Sequence, residues 1–150
     1  MNILFDTTVL IDLEREKEDT LLLLEKLTNE RSLLLISTIS VSEFLAGVYQ
    51  REDYKNKLGI AREFLEQFNW IDLNEVVAEE TAKLLAYCLV TNRERKYQDI
   101  AIAATFLNSG ADFLITDNLK DFDFLELKGK IYTAKEFLRA LREKKLKFVK

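Results

Sequence analysis

The chain has 150 residues, 48% of them hydrophobic and 32% charged, with a formal net charge of −4, one cysteine, and no histidine or proline. A single domain spanning 1–150 is expected, since a chain this long buries about 70% of the surface its unfolded form exposes. The missing histidine excludes Ser/His/Asp and Cys/His catalysis and most zinc sites, the lone cysteine excludes an internal disulfide, and the acidic balance argues against a protein that coats nucleic acid non-specifically.

Apolar run 2–5 predicts a buried strand, followed by helical periodicity over 8–16 and 20–29. A second strand at 33–37 leads to helices at 41–50 and 54–67, and a third at 70–73 to a helix at 75–91. Helix 99–109 precedes a strand at 113–116, a weaker strand at 131–132 and a last helix from 134 to about 146. Strands alternating with helices in this way indicate a three-layer α/β/α sandwich around a mainly parallel sheet. In such folds ligands bind beyond the carboxyl ends of the strands.

Four acids fall at that kind of place. Asp6 directly follows the first apolar strand; Glu43, in ISTISVSEFLAG, is expected in the first turn of the helix after the second strand; Asp99, in YQDIAIAATFL, begins a helix; Asp117, in FLITDNLKDF, follows another strand. Carboxylates gathered at low dielectric repel one another, so either their pKa values rise or a cation neutralises them. Clustered oxygen donors without His or Cys suit Mg²⁺ or Mn²⁺, and the chemistry such an ion supports is phosphodiester hydrolysis.

Each acid also has a structural role open to it. Asp6 fits the N-cap of its helix, Ser40 and Glu43 read as a capping box, Asp99 suits a helix dipole, and Asp117 suits a turn. A second capping box at Thr133 and Glu136 has no catalytic implication. The combination of four acids at equivalent edges, in a chain without histidine, favours a site.

ILFDTTVLIDL, ISTISVSEFLAG and DIAIAATFLNSGADFLITDNLKDF, in this order and across nearly the whole chain, resemble PIN domains, specifically the stand-alone VapC-type toxin ribonucleases. The resemblance implies a metal-dependent endoribonuclease acting on RNA with Mg²⁺ or Mn²⁺, a homodimer, and a small antitoxin that blocks the active site. Carried over by position, it makes Asp6, Glu43 and Asp99 the metal-binding catalytic acids, and Asp117 the fourth, with Asn118 and Asp121 as alternatives in the same turn. Thr7 and Thr116 match small hydroxyl residues that orient a carboxylate or a ligand water. A scaffold that binds RNA or protein without cutting, and an RNA-processing nuclease without an antitoxin, are the competing readings.

Arg93, Arg95, Lys96 and Lys120 are the candidate RNA-binding residues, with NRERKY before Asp99 the densest cluster; Arg51 is a further basic candidate. Asp12 reads as a solvated or paired surface acid, Cys88 as a small buried hydrophobe, and the basic tail LREKKLKFVK as a solvated terminus. No apolar run reaches membrane length, and no basic segment with an apolar stretch opens the chain, so a cytoplasmic location is expected.

Overall fold

Apolar side chains on both faces of the first strand require cover on both sides, and the fold supplies it. The computed structural model describes residues 1–146; the end of the basic tail, 147–150, lies outside the described residues. Five parallel strands, β1 (Asn2–Phe5), β2 (Leu33–Ser37), β3 (Asn69–Ile71), β4 (Phe113–Ile115) and β5 (Ile131–Tyr132), form one sheet in the order β3-β2-β1-β4-β5. β1 is central, with Leu4 opposite Leu35 on one side and Leu114 on the other.

The period-two alternation of strand side chains divides the core in two. Ile3 and Phe5 of β1, Leu34 and Ile36 of β2, and Ile115 of β4 pack with α1 (Thr7–Glu14), α2 (Glu18–Asn29), α3 (Thr38–Tyr49), α4 (Tyr54–Leu65) and α7 (Ala134–Arg142). Leu4, Leu35 and Leu114 point the other way, under α5 (Glu75–Val90) and α6 (Tyr97–Asn108). The result is the expected three-layer sandwich. Cys88 is buried among the apolar residues of the second layer.

Differences from the sequence expectation lie at element ends. α3 begins at Thr38 because Ser37, the last residue of β2, accepts the backbone N–H of Ser40 at 3.0 Å and caps the helix. Ser40 is therefore inside the helix, so the expected Ser40–Glu43 capping box does not form and Glu43 stands in the second turn. The box at Thr133 and Glu136 does form, opening α7. α6 begins at Tyr97, which puts Asp99 third in the helix rather than first. The long stretch after β4 contains two 3-10 turns, Leu119–Phe122 and Leu125–Leu127, which tuck Phe122, Phe124 and Leu127 against the second layer.

Phe64, Leu65 and Phe68 serve the core, with Phe64 packed edge-on against Phe68 at 5.6 Å. Among the described residues no helix is long and apolar enough to cross a membrane.

Candidate active site

β1 ends at Phe5 and the chain turns at once into α1, so Asp6 serves both as the N-cap and as the first side chain beyond the sheet's carboxyl edge. It is 2% exposed. One carboxylate oxygen, Oδ1, accepts the Thr7 N–H at 2.7 Å; the other, Oδ2, accepts the hydroxyls of Thr8 and Thr116, both at 2.8 Å. Thr116 follows β4 and is fully buried, and the Asp6 N–H bonds the Ile115 carbonyl at 3.0 Å, which fixes the ends of β1 and β4 together.

Among the described residues no lysine or arginine forms an ion pair with Asp6. Burial raises its pKa, and the hydroxyl bonds of Thr116 and Thr8 oppose the rise. Hydrogen bonds alone thus hold a carboxylate that has left water.

Glu43 approaches from α3 and accepts the Thr7 hydroxyl at 2.6 Å. Thr7 therefore joins two acids, one through its backbone and one through its side chain. Asp99, half-buried in the first turn of α6, is pushed up to about 6 by burial, then by the charges of Asp121, Asp6 and Glu43, while Lys96 acts in the opposite direction. Those influences place four carboxylates in one electrostatic neighbourhood.

The fourth of them is Asp121, from the 3-10 turn after β4. Asp117 is engaged elsewhere: Lys17, in the connection between α1 and α2, bonds it at 2.9 Å and Asp12 at 2.6 Å. Burial would raise the Asp117 pKa, but the hydrogen bonds to Lys17 and Asp12, together with the Lys17 charge, hold the group below its ordinary value. Asp12 is thus the paired acid its position suggested. Asn118 lends the site its backbone, donating its N–H to the Thr116 hydroxyl at 3.0 Å.

Sequence reasoning missed Thr8 and Lys17. Thr8 donates to Asp6 and accepts the N–H of Asp117 at 3.2 Å, tying the loop after β4 to the start of α1. The Thr7–Thr8 doublet after Asp6 was the available signal, since a helix start is where hydroxyls find backbone and carboxylate partners. Nothing local marks Lys17, whose two partners include one 100 residues away.

The basic candidates fall around this edge. Lys96 directly precedes α6 and lies within Coulombic range of Asp99, and Lys120 adjoins Asp121. Arg93 lies 5.5 Å over the Tyr87 ring and donates to the Asp123 carbonyl at 3.1 Å, while Arg95 donates to the carbonyl of Glu94. Arg51 is instead paired with Glu14 at 2.8 Å.

An all-oxygen donor set with a buried, cation-free carboxylate and mutually repelling neighbours fits a hard divalent ion. Among the described residues no three of these acids already converge into a coordination shell. That arrangement still fits Mg²⁺, which takes one or two carboxylates directly and keeps several waters.

The PIN domain family model matches residues 3–129, from β1 to the glycine just before β5. The chain belongs to the PIN domain family. Its fold matches VapBC-1 from nontypeable Haemophilus influenzae with a TM-score of 0.76 at 21% identity, over 89% of this chain and 98% of that one. FitAcB from Neisseria gonorrhoeae matches with a TM-score of 0.71 at 26% identity, over 88% and 97% of the two chains. A toxin-antitoxin complex from Klebsiella pneumoniae matches with a TM-score of 0.68, also at 26% identity and over 88% and 97%. No curated protein matches the sequence. This PIN domain therefore shares its fold with the VapC-type proteins that its sequence resembles.

Proposed function

We propose that this PIN domain is a divalent-metal-dependent endoribonuclease, the toxin of a toxin-antitoxin pair. The observation that carries the reading is the placement of Asp6, Glu43, Asp99 and Asp121 at the carboxyl edge of the parallel sheet, with Asp6 buried and held only by hydrogen-bond donors. The family and its VapBC-like neighbours support the toxin assignment and the antitoxin partner.

Asp6, Glu43 and Asp99 would hold Mg²⁺ or Mn²⁺, with Asp121 or Asp117 as the fourth acid. The ion supplies a bound water of lowered pKa and neutralises charge developing on a phosphate. Thr7, Thr8 and Thr116 orient the carboxylates, so that the site is built before substrate arrives. Arg93, Arg95, Lys96 and Lys120 hold the RNA backbone beside it. The apolar residues Leu89 and Val90, 70% and 83% exposed at the end of α5, suit a homodimer contact. A cytoplasmic location accompanies the toxin role.

The test is cleavage of a mixed-sequence RNA with Mn²⁺, Mg²⁺ or EDTA by the purified protein and by Asp6→Asn and Asp99→Asn. Metal-dependent cutting lost in both folded variants supports the nuclease. Absence of cutting by the wild type under every ion would favour a scaffold that binds without catalysis.

A further inference from the structure

Beside the acids lies an open groove of about 940 Å³ that none of them lines. Its floor is apolar, from Leu119, Phe124, Leu127 and Ile131, and its rim carries Arg93, Arg95, Lys120 and Lys128 against the single acid Asp123. Four cations to one anion, on a chain with a formal charge of −4, make this a local reversal of sign. Such a groove attracts a polyanion that the rest of the surface repels.

Two further features narrow the occupant. Tyr87, 45% exposed, lines the groove with Arg93 over its ring, and Arg93 is fixed there by its bond to the Asp123 carbonyl. A tyrosine ring and a guanidinium together give flat π surfaces of the kind on which unpaired bases stack. The 3-10 turn Leu119–Phe122 makes the groove continuous with the acids, since Leu119 and Lys120 line it while Asp121 acts on Asp99.

We propose that this groove is a track for single-stranded RNA, in which Tyr87 stacks a base and Arg95, Lys120 and Lys128 hold the phosphates flanking the bond to be cut. The proposal rests on the nuclease reading for its substrate, and adds Tyr87 and Lys128 as residues that set how RNA is held. An acidic amphipathic peptide would also match a basic rim over an apolar floor, but continuity with a cluster of carboxylates favours the nucleic acid.

The experiment measures binding separately from cutting. A fluorescein-labelled mixed-sequence single-stranded RNA is titrated in EDTA with wild type, Tyr87→Ala, Tyr87→Phe, the Arg95→Ala/Lys128→Ala double variant, and Lys26→Ala, which lies on α2 in the opposite layer. Tyr87→Ala should bind roughly 5- to 100-fold more weakly, the loss of one stacked base, with Tyr87→Phe close to wild type. The double variant should lower the slope of log affinity against log salt by about 1.4, two phosphate contacts on a single strand, and Lys26→Ala should change neither.

Cleavage by the same proteins should show a raised KM with kcat little changed. Folded groove variants that bind RNA like wild type would overturn the track while leaving cleavage, and with it the nuclease, intact. In that event, binding of an acidic amphipathic peptide lost in the double variant would reassign the groove to a protein partner. RNA bound through the groove but never cut would instead defeat the nuclease reading alone, and RNA neither bound nor cut would defeat both.

Discussion

The ammonium of Lys17 stands 2.9 Å from the carboxylate of Asp117, and this pairing sets Asp117 apart from Asp99 and the three acids that act on it. Two acids in one short turn thus have different electrostatic surroundings: Asp117 has a cation, and Asp121 has other anions.

The expected consequence is that Asp121→Asn costs about 100-fold or more in metal-dependent RNA cleavage, as loss of an ion-binding charge should, whereas Asp117→Asn costs less than about 10-fold. Initial rates at equal protein concentration decide it. The reverse order would return the fourth position to Asp117.

Asp99 dictates a pH dependence for the metal-free protein. Its folded pKa, about 6, lies above the ordinary 3.8, so between those values the folded chain binds more protons than the unfolded one. Stability from this group is then fully present below the ordinary value and is lost as pH rises through about 6. Asp117 and Glu143, both held below their ordinary values, act in the opposite sense, so the difference between wild type and Asp99→Asn is the informative quantity. Thermal unfolding in EDTA should show the variant gaining on wild type between pH 4.5 and about 7.5 by a few degrees, on a scale where 1 kcal/mol is about 2–4 °C. A difference independent of pH would mean that Asp99 is not strained by its neighbours.

Thr116→Val removes a fully buried hydroxyl that donates to Asp6 and leaves the side-chain volume nearly unchanged. A cost of about 1–3 kcal/mol is expected in denaturant unfolding, because a buried charged acceptor loses a partner. Cleavage should fall roughly 10- to 100-fold, the usual effect of loosening a ligand's support. Thr116→Ser restores the donor and should recover most of both losses.

The caps of α3 give a fourth expectation. Ser37→Ala should destabilise by about 1 kcal/mol, since Ser37 is the cap. Glu43→Gln should leave stability within about 0.5 kcal/mol, because its partner is the Thr7 hydroxyl and not the helix start. A Glu43→Gln variant as unstable as Ser37→Ala would point to a capping role after all.

Much of this was legible in the chain. Strand 2–5, with apolar residues on successive positions and an acid directly behind them, announces a doubly covered strand and the carboxyl edge of the sheet, where Asp6 stands with Glu43 on the Thr7 hydroxyl and Asp99 under the charge of both. Helix starts were read late by two to three residues at α2, α3 and α6. The cap of α3, Ser37, is also the last residue of a strand, and the N-cap positions of α2 and α6 are held by Lys17 and Lys96, whose side chains make no cap bond, so none gives a separate signal. The choice between Asp117 and Asp121 could not be read from LITDNLKDF. What sets the two acids apart is Lys17, 100 residues from Asp117, and the tight turn at Leu119–Phe122.

Asp6 precedes its hydroxyl donor Thr116 by 110 residues, and the strand that anchors it, β4, lies directly before that donor. Contacts so distant in sequence close late and slowly during folding. The environment of Asp6 is therefore completed only once the chain through Thr116 has been made. A chain whose synthesis stops before β4 carries Asp6 without its hydroxyl donor and its neighbouring strand, so the order of assembly itself delays completion of the acid cluster.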